Sequence, residues 1–180
     1  MCQTLSDIGE SGFLNKLAEW LPGAGDGIVV PAGDDAAVVQ WASGQGVITT
    51  DTLVEGTHFR LEWSAPEDIA IKLLHMNLSD IAAMGGVPDF GVLALTACGS
   101  TQLDWLERFY HALLKSCDTT NVRLVGGDTT EGSSIILTLT VVGHVTGSAV
   151  TFATAQPGDA VFVTGDLGSA QAGLEVLLRK

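Results

Sequence analysis

The chain has 180 residues, 46% apolar and only 16% charged, enough for one ordinary domain with a sizeable core or one domain and a piece of another, and too apolar for wholesale disorder. A formal net charge of −13 argues against non-specific nucleic-acid binding, which rests on Lys and Arg neutralising phosphates, yet leaves room for a nucleotide whose charge a bound cation offsets. Cys2, Cys98 and Cys117 form no CxxC pair, the first residues lack a signal-peptide pattern, and no apolar run reaches the ~20 residues that span a bilayer. A soluble cytoplasmic protein, without membrane or nucleic-acid partner, is expected.

In chain order, Phe13 to Leu21 places Phe13, Leu14, Leu17, Trp20 and Leu21 on one helical face, with Ser11 as cap and Pro22-Gly23 as stop. Packing on its own domain is favoured over a subunit contact for this face. Residues 31–41 read as a loop, PAGDD, running into a strand, AAVVQW. Gly46 to Phe59 begins as an apolar strand, Val47-Ile48, then presents Thr49, Thr50 and Asp51 in a row, with Glu55 and His58 following. Ala65 to Gly85 is the longest helical pattern, opened by Pro66, Glu67 and Asp68. Ile69, Leu73, Met76 and Asp80 share one face of it, so Asp80 falls on or near an apolar stripe. A carboxylate there needs a metal or a partner, such as a neighbouring amide or Lys72.

Phe90 to Thr96 reads as a strand and Leu103 to Leu114 as an amphipathic helix with Trp105, Leu106, Phe109 and Leu113 inward. Val122 to Val125 begins a strand that runs into GGDTT, Gly126 to Thr130, and Ser134 to Val145 is a strongly β-branched strand. After the Pro157-Gly158-Asp159 turn come a strand, AVFVTG, and a helix that Lys180 interrupts. That ending reads as a cut, dividing the chain into residues 1–150, an N-terminal domain, and 151–180, the start of a second, α/β domain. Adjacent strands without strict βαβ alternation predict an α+β fold, with helices on one side of a mixed, mostly antiparallel sheet.

Four acidic blocks share one grammar: GDD at Gly33 to Asp35, TTD at Thr49 to Asp51, NLSD at Asn77 to Asp80, and GGDTT. A single GD is an ordinary turn. Four blocks at element boundaries point to carboxylates that cradle Mg²⁺ against a polyphosphate, since Mg²⁺ takes oxygen ligands and usually recruits substrate phosphates. No Walker loop, HExxH pair or GxSxG elbow competes with that reading. His75 and His111 fall within helices and read as structural; His144, in a strand, is given no role.

Taken together, GDDAAVV, TTDTLVEGTHF, KLLHMNLSDIAAMGG and LVGGDTT resemble the thiamine-monophosphate kinase family, of the superfamily that includes aminoimidazole ribonucleotide synthetase and selenophosphate synthetase. The resemblance implies direct transfer of the γ-phosphoryl group of ATP to thiamine monophosphate, without a protein nucleophile. It also implies several Mg²⁺ ions and a homodimer whose sheets pair into a barrel. By position it implies Asp35, Thr49, Thr50, Asp51, Asp80 and Asp128 as the metal set. Tyr110, Gly127 and Asp128 would touch ATP, and His58 the thiamine substrate; Tyr110 also reads as helix packing. Phe152 stands where relatives carry an arginine, and most of the family's C-terminal domain has no counterpart here. Two alternatives stand beside the kinase: another ATP-dependent enzyme of the superfamily, or a truncated, catalytically silent domain that binds metal or nucleotide and dimerises.

Overall fold

The computed structural model describes residues 3–21, 23, 25, 28–30, 38–39, 45–151, 153 and 155–179. Residues 1–150 form one compact unit and 151–180 another. The first holds α1 (Leu5–Trp20), β1 (Ile28–Val30), β2 (Val38–Val39), β3 (Gln45–Val54), α2 (Pro66–Ala83), β4 (Val87–Ala97), α3 (Leu103–Thr120), β5 (Arg123–Glu131) and β6 (Ile136–Val145); the second holds α4 (Ser169–Leu178). The sheet that organises the unit has order β3-β6-β4-β5. β6 is antiparallel to both β3 and β4, while β4 and β5 run parallel across the α3 connection. The fold is α+β with a mixed, mostly antiparallel sheet, as the strand adjacency predicts. β1 and β2 make a separate antiparallel pair.

Alternation in β6 sets which face is which. Leu137, Leu139, Val141 and Val145 are buried, while Thr138, Thr140, Val142 and His144 between them are only half-buried. Helices α2 and α3 cover the buried face, contributing Ile69, Leu73, Leu74 and Ile81 from one and Leu106, Phe109, Leu113 and Cys117 from the other to a single core. α1 lies against α3 through rings: Phe13 and Trp20 meet Tyr110 at centroid distances of 6.2 and 5.7 Å. Among the described residues of this unit, no helix lies on the sheet's other face.

Local chemistry fixes the ends. Pro66 opens α2 and Gly86 stops it, its N–H reaching the Ile81 carbonyl at 2.9 Å. α3 extends six residues past the expected Leu114, because Cys117 continues the inward stripe from Leu113, and Asn121 closes it in the left-handed region at φ 57°. α1 begins at Leu5, eight residues before Phe13, and breaks at Gly9 (φ 65°). Its polar, glycine-bearing first turns hide that start from periodicity. The Asp7 carboxylate secures it by accepting from the Thr4 N–H and hydroxyl at 2.8 and 2.9 Å.

One expected element fails. Ala160 to Gly165 (AVFVTG) makes no strand, and Val161 and Phe162 are 92% and 88% exposed. A strand is stable only when its backbone groups find a neighbour, and the described residues of 151–179 hold no other strand.

Candidate functional site

The acidic blocks sit on the sheet and on the helix packed against it. β3 carries TTD at its middle and α2 carries Asp80 near its end. The two meet: the Thr49 hydroxyl donates to Asp80 Oδ2 at 2.7 Å. Asp80 is exposed rather than sunk in the apolar stripe, because the helix rotates it past the buried Asn77 and Ile81. Lys72 is not its partner; the ammonium instead donates to the His58 carbonyl at 2.8 Å.

The period of two in β3 divides the TTD row. Thr49 pairs with Val141 and Asp51 with Leu139, both buried, so Thr49 and Asp51 share the helix-covered face. Thr50 belongs to the opposite face, where it receives a hydrogen bond from Thr140 at 3.0 Å and donates to the Leu139 carbonyl at 3.2 Å. Thr52 and Thr138 join hydroxyls beside it at 2.9 Å. The expected contiguous trio is thus two groups, back to back. Thr138 and Thr140 were absent from the expected set, although the alternation LTLT in β6 carries the signal for them.

Register extends these rows. Thr52, Thr138, Ala94 and Asp128 stand side by side across β3, β6, β4 and β5. Asp128 is exposed on the helix-free side, its carboxylate accepting from Thr130 at 3.0 Å. Three strand spacings of about 4.8 Å separate β3 from β5, so Asp128 lies about 14 Å from the TTD strand. Gly127 has a structural requirement of its own, since a Cβ there would overlap the Leu93 carbonyl oxygen. Asp35 and Phe152 lie outside the described residues.

The EGTHF turn is built tightly. The Glu55 carboxylate accepts from the Ile135 N–H at 2.9 Å, and His58 Nδ1 accepts from the Val54 N–H at 3.1 Å. That bond leaves His58 Nε2 to carry the ring proton and face outward, on an exposed residue. Tyr110 differs from its expected place at a nucleotide surface. It is 3% exposed within the aromatic cluster, and burial raises its phenol far above the usual value. His144 does have a partner, Asp89, at 2.7 Å.

Among the described residues no three His, Cys, Asp or Glu side chains converge as a metal cage. What the described residues offer is an oxygen pair, Thr49–Asp80, with Asp51 on the same face of β3. Such a donor set fits Mg²⁺, which takes one or two carboxylates and completes its octahedron with phosphate and water, and does not fit a dedicated all-protein site.

The chain belongs to the AIR synthase related proteins, whose N-terminal domain matches residues 33–145. Within it, the chain resembles the N-terminal half of thiamine-monophosphate kinases. It is 40% identical over 154 residues to the thiamine-monophosphate kinase of Bacillus subtilis, covering 84% of this chain and 47% of that protein. The thiamine-monophosphate kinase structure from Stenotrophomonas maltophilia superposes with a TM-score of 0.77 at 39% identity, over 86% of this chain and 48% of that one. The structure described as AaThiL complexed with AMPPCP and TMP superposes with a TM-score of 0.72 at 32% identity, over 98% and 55%. The chain spans about half the length of the curated relatives it matches.

Proposed function

We propose that this chain carries the N-terminal half of a thiamine-monophosphate kinase site, phosphorylating thiamine monophosphate to thiamine diphosphate at the expense of ATP. The observation that supports this most is the Thr49–Asp80 hydrogen bond, which unites two acidic blocks distant in sequence at 40% identity to a named kinase. In the proposed reaction a phosphate oxygen of thiamine monophosphate attacks the γ-phosphorus of ATP. The bond from that phosphorus to the β–γ bridging oxygen breaks, and ADP leaves.

Mg²⁺, when bound, supplies charge neutralisation along the triphosphate. Asp51, Asp80 and Thr49 would hold one ion from the helix-covered face, Asp35 belongs to the same proposed set, and Asp128, on the helix-free side about 14 Å from the TTD strand, would serve a separate ion. Thr50 would contribute from its backbone, its hydroxyl being engaged on the far face. Gly127 and Asp128 are read as nucleotide contacts, whereas Tyr110 is left to packing. His58, with Nε2–H outward, is the donor toward the thiamine substrate. No side chain is asked to form a covalent intermediate, since in-line transfer needs positioning and electrostatics. Residues 151–180 are read as the start of a second, α/β domain, and the helix-free sheet face as a homodimer surface.

The test is Mg²⁺-dependent binding of a non-hydrolysable ATP analogue, followed by single-turnover transfer to thiamine monophosphate. Asp51→Ala should weaken analogue binding at least about tenfold while leaving the melting midpoint within the narrow range of a surface substitution. Unchanged Mg-nucleotide binding by that variant would remove Asp51 from the metal set. Turnover of selenide or a formylglycinamidine substrate, with none of thiamine monophosphate, would assign the chain to another reaction of the superfamily. Nucleotide binding without transfer to any acceptor would identify the silent domain.

A further inference from the structure

The turn that follows β3 is held from inside and from outside by different groups. From inside, the Val54 carbonyl accepts from the Thr57 and His58 N–H groups at 3.1 and 2.8 Å, and the Gly56 N–H donates to the Phe59 carbonyl at 2.8 Å. Gly56 takes the reversal at φ 79°, and Phe59 anchors the far end in the core. The His58 carbonyl is bonded from outside the turn, by the Lys72 ammonium of α2 at 2.8 Å.

Lys72 has a nearer option. Asp68 stands four residues earlier on α2, the ordinary arrangement for an acid and a lysine on a helix surface. Among the described residues no ion pair joins Lys72 to any carboxylate, and the exposed side chain goes to a neutral carbonyl instead. A polar contact at such exposure adds little to global stability, so its consequence lies in the residue it holds. That residue is fixed at three points. Val54 supplies two, its carbonyl to the His58 N–H and its N–H to the ring Nδ1 at 3.1 Å. Lys72 supplies the third and fixes the peptide plane on the far side of the ring. With the carbonyl released that plane can turn, and the ring loses its seat over Val54. The seat decides the proton, because an Nδ1 that accepts leaves Nε2–H as the outward donor.

We propose that Lys72 is a positioning residue, which clamps the His58 carbonyl and so holds the imidazole with Nε2–H turned toward thiamine monophosphate. The identity of the substrate rests on the kinase reading; the clamp itself does not. The experiment uses the 180-residue chain, with hydrogen exchange of the Val54 amide as the readout of the ring's seat. Binding of thiamine monophosphate and of a Mg-bound, non-hydrolysable ATP analogue is measured beside it. Lys72→Met should speed Val54 exchange relative to its β3 neighbours and weaken thiamine monophosphate binding, each by about tenfold or more, while analogue binding holds. Lys72→Arg, which can donate to the same carbonyl, should restore both. In a His58→Ala background Lys72→Met should cost thiamine monophosphate nothing further, because the two residues act as one unit. Unchanged Val54 exchange in Lys72→Met, faster exchange with undiminished thiamine monophosphate binding, or an equal loss of both ligands overturns the proposal. So does an additive loss in the His58→Ala background, which would place the ammonium on the substrate itself. If the wild type binds no thiamine monophosphate while Val54 exchange still follows Lys72, the kinase reading fails and the clamp on the imidazole stands.

Discussion

Cys98 and Cys117 show how far residues of one type diverge in one core. The Ser100 hydroxyl beside Cys98, at 3.1 Å, holds its thiol below the usual value, and the residue is half-buried near the molecular edge. Cys117 is 2% exposed on the inner face of α3, where burial, reinforced by Asp118, pushes its thiol up to about 12. The thiolate is the reactive form. Alkylation of the native protein at pH 8 should therefore label Cys98 and spare Cys117 until denaturant is added, read by peptide mass spectrometry. Rapid native labelling of Cys117 would mean that α3 opens more readily than its packing implies. At this scale the sequence revealed chemistry better than placement. It marked Asp80 as a carboxylate in need of a metal or a partner, and named a neighbouring amide or Lys72 for the latter, not the threonine that β3 brings across. It grouped Thr49, Thr50 and Asp51 by adjacency, whereas a strand sends neighbours to opposite faces. Tyr110 stood between a ligand contact and helix packing, since an aromatic on an amphipathic helix suits either, and only the arrival of α1 shows that its ring is buried.

Between elements, α2 and α3 are joined at the surface by Arg108, whose Nε and Nη2 donate to the two Glu67 oxygens at 2.7 and 2.9 Å. The forked pair holds the Glu67 carboxyl below the usual carboxylate range, Arg108 being the main cause. A depressed folded pKa means stabilisation present above the unfolded value and lost as pH falls through the folded one. The stability difference between wild type and Glu67→Gln should thus be present at pH 7 and vanish as pH drops below the carboxylate range, measured by urea unfolding. A difference that persists there would show that Glu67 acts by packing alone. Gly127 makes a harder claim on the sheet. Gly127→Ala must push β4 and β5 apart at Leu93, at a cost of about 1–3 kcal/mol for overpacking. The same loss in the melting midpoint, with and without nucleotide, would mark this glycine as structural first. Elements were the most legible level. α2, β4 and β6 follow directly from periodicity and from Pro66 and Gly86. The strand expected at AVFVTG failed because pairing is non-local, and an apolar run without a neighbour stays exposed.

The helix-free face of the sheet in residues 1–150 emerges only once its four strands are assembled. Its rows run Ile48–Val142–Phe90, then Thr50–Thr140–Val92, then Thr52–Thr138–Ala94–Asp128, so an apolar band passes into a hydroxyl band. Ile48 is 68% exposed and Val92 40%, on a surface that in antiparallel sheets is ordinarily polar. The hydroxyls partly satisfy one another, Thr50 with Thr140 and Thr52 with Thr138, leaving a flat, weakly polar plane. A second copy is the economical cover, because a two-fold axis lets one patch meet itself without a second complementary surface. In the proposed dimer Ile48 becomes buried. Ile48→Asp should therefore convert a dimer to a monomer in sedimentation equilibrium, and the melting midpoint of the wild type should rise with concentration while that of the variant does not. A wild type that sediments as a monomer throughout the micromolar range would leave this face to another partner. A dimer insensitive to Ile48→Asp would place the subunit contact elsewhere on the molecule. Because Asp128 lies in the third row of the same face, dissociation by Ile48→Asp should also weaken Mg-nucleotide binding if that carboxylate works in the assembled sheet. Unaltered nucleotide binding in the monomeric variant would separate assembly from the site.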